Sequence, residues 1–136
     1  MKVNIPNLQI AIASSDGQSI DGHFGSCEKF YIYKLDAEQI EYLELREAEG
    51  GRGIEKNAFR AQIIKDCQLM FCASIGGPAA AKVINAGIHP LKSKGNPTIL
   101  DQLTVLQQRV VDGALPPWLA KMMGQSNHLS ERFDAL

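Results

Sequence analysis

What this 136-residue chain lacks already narrows its function. No run of apolar residues approaches the roughly eighteen needed to cross a bilayer. The opening Met1-Lys2-Val3-Asn4-Ile5-Pro6 lacks the long apolar region of a secretory signal, so a cytoplasmic protein is expected. Only three cysteines occur, Cys27, Cys67 and Cys72, and no two form a CxxC pair. They are expected to be reduced thiols, which leaves no basis for a closed tetrahedral zinc site. Neither sign of charge dominates: 14 Lys and Arg against 15 Asp and Glu give a net charge of -1. A nucleic-acid binder would carry a basic face, so none is expected as a partner. Phosphate-loop, nucleophile-elbow, zinc-protease and dinucleotide motifs are all missing, as are internal repeats and low-complexity tracts. These absences point away from an enzyme.

What is present describes one folded domain of ordinary size. Hydrophobic residues make up 45% of the chain and charged residues 21%, a globular profile. The expected division is a folded domain over 1–124 and a polar, mobile tail over 125–136. Leu8 to Ser14 is apolar on both faces apart from Gln9, as in a central strand. Lys29 to Leu35 is aromatic and β-branched, a second strand, and Ile40 to Arg46 alternates as a half-exposed antiparallel third. The glycine connector Gly50 to Gly53 leads to a helix from about Ile54 to Lys65, with Ile54, Ala58, Phe59, Ala61 and Ile64 on an inward stripe. A buried fourth strand spans Cys67 to Ser74, which would turn Cys67 and Cys72 to opposite faces. A helix from Ala79 to Asn85 closes at Gly87. A fifth strand, Ile88 to Lys92, carries Pro90 and belongs at an edge. A long helix from Asn96 to Val111 turns Ile99, Leu103, Leu106 and Val110 inward and ends at Gly113, and Pro116 to Met123 predicts a short helix capped by Gly124.

The order β-β-β-α-β-α-β-α-α implies an α/β fold with a mixed sheet, antiparallel at one side and parallel at the other. A ribonuclease H-like, five-stranded sheet of order 3-2-1-4-5 satisfies it. Nuclease chemistry does not follow, because the two central strands carry none of the carboxylates that would hold two metal ions.

In that arrangement the first and fourth strands are parallel neighbours, and the loops after them share one sheet edge, where ligands of open α/β sheets bind. The first loop holds Asp21-Gly22-His23-Phe24-Gly25-Ser26-Cys27. An imidazole and a thiol four residues apart are suited to soft metals and iron–sulfur units. Taken alone, the stretch reads sooner as a turn between two strands that holds a histidine and a buried cysteine than as a site. The second loop, Ser74-Ile75-Gly76-Gly77-Pro78, offers backbone N–H groups and the positive end of a helix, which favour an anion. Lys82, Lys92 and Lys94 form a basic rim or a solvated face. His89 reads as a structural residue and His128 as a solvated one.

The same blocks resemble a known family. Asp21 to Gly25 matches the D-x-H-F-G motif of the dinitrogenase iron–molybdenum cofactor-binding family. Asp66-Cys67, Ser74 to Val83 and Ala86 to Lys92 resemble its later blocks. Within it, the likeness is to nitrogenase accessory proteins of the NafY, NifY and NifX type, and runs from about Leu8 to Gly124. The resemblance implies a ribonuclease H-like fold and a non-catalytic carrier. Such a carrier would bind the anionic iron–molybdenum cofactor, or its iron–sulfur precursor, and pass it towards apo-dinitrogenase with other assembly proteins as partners. It also implies that His23 is the primary metal ligand. Cys27 is expected as a helper ligand, with Asp21, Gly22, Phe24, Gly25, Ser26, Ser74, Gly76 and Gly77 forming the cofactor-binding surround. Larger members carry an extra N-terminal helical domain, whereas this chain begins almost at the core. Two other readings stay open: a chaperone that holds apo-dinitrogenase without touching the cluster, and a small-molecule or nucleotide-binding domain using the Gly-Gly-Pro helix start.

Overall fold

The computed structural model describes residues 7–49 and 55–113. The glycine connector with Ile54, the short helix expected at Pro116 to Met123, the tail with His128 and the boundary at 124 all lie outside the described residues.

Strands β1 (Leu8–Ala13), β2 (Lys29–Leu35) and β3 (Ile40–Glu47) open the chain. Helix α1 (Lys56–Ile63), strand β4 (Leu69–Cys72), helix α2 (Gly77–Asn85), strand β5 (His89–Lys92) and helix α3 (Ile99–Asp112) follow. They form one five-stranded sheet in the order β3-β2-β1-β4-β5. β2 is antiparallel to β1 and to β3, while β4 is parallel to β1 and to β5. This is the mixed sheet expected from the element order.

β1 lies at the centre because both its faces are apolar, and helices cover both. Ala11 and Ala13 point into a cluster with Ile64, Met70, Cys72, Ala79 and Val83 on the side of α1 and α2. Leu8, Ile10 and Ile12 point into the other, with Leu69, Phe71, Ile99, Leu103, Leu106 and Val110 on the side of α3. Ile10 and Ile12 are fully buried, each worth about 1.5–3 kcal/mol of transfer free energy. The architecture is therefore a three-layer sandwich.

The differences from expectation have local causes. β4 begins at Leu69, so strand alternation does not reach back to Cys67. Both Cys67 and Cys72 consequently pack in the same cluster rather than on opposite faces. In α1, Phe59 is 40% exposed while Arg60 is buried at 3%, so the helix presents a face rotated from the expected stripe. β3 is exposed along most of its length rather than on one face. α3 starts at Ile99 instead of Asn96, because Thr98 is its N-cap and accepts from the Asp101 N–H at 3.1 Å. Asn96, at φ 48°, stands outside the helix in a left-handed turn. α2 starts earlier than expected, at Gly77, with Gly76 as its cap.

Candidate functional site

The polypeptide leaving β1 does not swing free. Asp16 accepts the N–H groups of Gln18 and Ser19 at 2.9 and 3.0 Å, which lowers its pKa. Ile20 then donates to the Pro97 carbonyl at 2.9 Å and sinks into the core on the α3 side. Asp21 folds the loop back: its two carboxylate oxygens accept from the Ser15 N–H at 2.8 Å and the Ser15 hydroxyl at 2.6 Å.

Gly22 next passes between the ends of the two central strands. Its N–H donates to the Ala13 carbonyl at 2.9 Å, and its carbonyl accepts from Ala73 at 2.8 Å. A Cβ there would stand 2.7 Å from the Ala13 carbonyl carbon and oxygen, a separation that only glycine avoids. His23 and Ser74 then form a parallel bridge, with the Phe24 N–H donating to the Ser74 carbonyl at 3.0 Å. The two loops expected to face each other are thus stitched together by main-chain hydrogen bonds.

His23 is exposed, and its Nδ1 is hydrogen-bonded to the Ser74 hydroxyl. Directly after it the chain makes a single helical turn, in which the N–H groups of Ser26 and Cys27 both donate to the His23 carbonyl, at 3.0 and 2.8 Å. Phe24 anchors this turn. It is fully buried, 5.9 Å from the Phe30 ring centre. As part of the expected surround, it therefore acts from the core side, while Ser26 stands at the rim. Gly25 faces the start of α1, where a Cβ would lie 3.5 Å from Asn57 Oδ1 and from Lys56 Cε.

Cys27 is directed inward. It is 9% exposed, and its thiol donates to the Phe24 carbonyl at 3.4 Å. Burial pushes its pKa up to about 11, despite the opposing charge of Arg60. Burial therefore favours the neutral thiol over the thiolate form. His23 is exposed and Cys27 nearly buried, yet both border one cleft of about 410 Å³, lined also by Ser14, Ser15, Asp21, Ser26 and Lys29.

On the β4 side, Gly76 is the N-cap of α2 and, having no side chain, makes no capping hydrogen bond to the first turn. Pro78 occupies the second helical position, where its missing N–H costs nothing. Gly77 has nothing within 4 Å of a would-be Cβ, and neither glycine has a positive φ. Neither backbone strain nor packing within the protein requires this pair, which leaves the helix end bare to an approaching anion. Lys82, Lys92 and Lys94 are all exposed nearby in sequence. No group of three or more His, Cys, Asp or Glu is gathered around a metal position among the described residues. His89 is half-buried in the edge strand, where burial lowers its pKa.

One residue of this region escaped the sequence reading. Arg60 reaches from α1 to the end of the loop, donating Nε to the Cys27 carbonyl at 2.8 Å, with Nη2 3.5 Å from the Ala48 carbonyl. It ties α1, the loop and the end of β3 to one buried guanidinium. The signal was its spacing: Arg60 lies four residues before Ile64, on that residue's helical face.

The family model described as dinitrogenase iron-molybdenum cofactor matches residues 6–109. The chain is 42% identical over 131 residues to protein NifY of Azotobacter vinelandii, covering 93% of this chain and 52% of that protein. It is 32% identical to protein NifX of Sinorhizobium fredii, covering 88% of this chain and 79% of that one. It thus spans about half the length of the NifY relatives it matches. Among solved structures, the apo form of the orange protein from Desulfovibrio gigas superposes with a TM-score of 0.60 at 18% identity, over 80% of this chain and 91% of that one. PH0822 gives 0.55 at 19% identity, over 78% and 92%. At such identities the structural likeness speaks for the fold alone. The motif, the topology and the matched residues agree: the chain belongs to the dinitrogenase iron–molybdenum cofactor family.

Proposed function

We propose that this protein is a non-catalytic carrier in nitrogenase maturation. It binds the iron–molybdenum cofactor or its iron–sulfur precursor transiently and hands it to apo-dinitrogenase in the cytoplasm, with other assembly proteins as its contacts. The observation that carries the reading is the exposed His23 imidazole, bridged to the β4 loop whose helix start has no side-chain cap. Such a pairing supplies one metal ligand and a patch of positive potential for an anionic cluster. A single neutral imidazole holds a cluster without enclosing it, as delivery requires. Gly22, Asp21 and Phe24 keep the loop in place, and Gly25, Ser26, Ser74, Gly76 and Gly77 border the cargo. Cys27, nearly buried and with its thiol donating to the Phe24 carbonyl, contributes less to ligation than His23.

Anaerobic titration of the protein with isolated iron–molybdenum cofactor, followed by paramagnetic resonance, tests this. His23→Ala is expected to weaken binding at least tenfold, and Cys27→Ser by less than threefold. Equal affinity in native protein and His23→Ala would remove His23 from the site. A larger loss in Cys27→Ser than in His23→Ala would reverse their ranking.

A further inference from the structure

The geometry points to Ser74 as the positioning residue that fixes the ring and tautomer of His23, so that Nε2 is the atom presented to the cluster. This inference rests on the carrier reading and specifies which atom of the site does the binding.

Three observations combine. First, the Ser74 hydroxyl is hydrogen-bonded to Nδ1 of His23, and no described residue is hydrogen-bonded to Nε2. Second, the partners cannot drift apart independently. Their backbones form a parallel bridge, closed by Phe24 N–H to the Ser74 carbonyl at 3.0 Å and by Ala73 N–H to the Gly22 carbonyl at 2.8 Å. Third, each is anchored by its own element: Phe24 is buried beside His23, and β4 is buried throughout its four residues directly before Ser74. The imidazole therefore has one edge tethered to a fixed hydroxyl and the other turned away from it.

The consequence is chemical. A neutral imidazole carries one proton, and the nitrogen that ligates a metal must be the one without it. The Ser74 hydroxyl can accept from Nδ1–H or donate to Nδ1; in the proposed arrangement it accepts, so the Nε2 lone pair is free and no proton has to be moved before ligation. Metal-bound histidines elsewhere depend on this second contact, and its loss typically costs about 10–100-fold in affinity. Ser74 thus acts on the ligating nitrogen through the His23 ring.

The test pairs spectroscopy with binding on the full chain. Nitrogen-15 resonances of neutral His23, without cofactor, are expected to report the Nδ1-protonated form in native protein. In Ser74→Ala they should move towards the mixture of tautomers of a free imidazole, and in Ser74→Thr they should return. Affinity for isolated iron–molybdenum cofactor should fall about tenfold in Ser74→Ala and recover in Ser74→Thr. An Nε2-protonated ring in native protein, or a Ser74→Ala variant with unchanged tautomer or unchanged affinity, would overturn the inference. Loss of binding in His23→Ala alongside such a result removes the role of Ser74 only. Unchanged binding in His23→Ala removes the ligand reading of His23, and this inference with it.

Discussion

At the scale of the residue, the three cysteines divide sequence expectation from structural fact most clearly. Cys27, Cys67 and Cys72 are all buried and free. Burial raises their pKa values to about 11, 12 and 11, in that order. Burial thus favours the neutral thiol at all three positions. The same burial fixes a pH dependence. Each thiol ionises near pH 9 in the unfolded chain but only near 11 or above in the folded one. Between these values the unfolded state holds fewer protons, so folding stability declines as pH rises. Each thiol contributes up to about 1.4 kcal/mol per pH unit to that slope. Urea midpoints measured at pH 8 and 10.5 should therefore fall more steeply in native protein than in Cys67→Ala. Parallel slopes would mean that Cys67 is hydrated in the folded state. The burial of Cys72 was legible in its apolar neighbours Phe71 and Ala73, whereas Cys67 stands between Asp66 and Gln68. The burial of Cys27 was one of two readings of its polar loop, and the contacts with Phe24 and Arg60 that go with it form only in the folded molecule.

At the scale of the element, the site is two loops joined by a few hydrogen bonds, and its glycines serve different ends. Gly22 is fixed by contact, since a Cβ would overlap the backbone at the end of β1. Gly77 meets nothing within 4 Å and sits at the first position of α2. Gly22→Ala should push the loop off the strand, costing about 1–3 kcal/mol as an overpacked position does, with a matching fall in melting temperature and in cofactor affinity. Gly77→Ala should leave the melting temperature unchanged or slightly higher, since alanine favours helix, yet weaken cofactor binding by crowding the exposed amides. Thermal unfolding and the cofactor titration check both together. A stable Gly22→Ala would contradict the contact reading, and full affinity in Gly77→Ala would show that the cargo does not approach α2. From sequence each position reads as a loop glycine, Gly22 between Asp21 and His23 and Gly77 between Gly76 and Pro78. Only the register of the loop against Ala13 and Ala73 separates them.

At the scale of the whole molecule, the sheet is a partition. The order 3-2-1-4-5 followed from element succession, because a meander leading into parallel crossovers leaves few arrangements that avoid crossed connections. The α3 stripe was legible for the same reason that helices generally are: Ile99, Leu103, Leu106 and Val110 keep a fixed period. Less legible were the rotation of α1, where a buried arginine replaces a phenylalanine, and the exposure of β3, whose Tyr42, Leu43 and Leu45 remain 49%, 39% and 40% accessible. The first had only the spacing of Arg60 to Ile64 as a signal, and the alternation of β3 does not say how much of the strand the rest of the fold covers. The partition has a functional consequence. Phe24, Cys27 and Ala79, which back the site, belong to the core on the α1 and α2 face, while Leu103 is fully buried in the opposite core. Leu103 also lies one turn beyond the Ser19–Thr98 bridge by which α3 touches the loop. Leu103→Ala should then cost about 2–5 kcal/mol of stability, as leucine truncations in closed cores do. At a temperature where the variant remains folded, cofactor affinity should stay within twofold of native. Urea unfolding gives the first quantity and anaerobic titration the second. A collapse of affinity in a Leu103→Ala protein that is still folded would mean that the sheet transmits packing changes from one face to the other, and that the site draws on both cores.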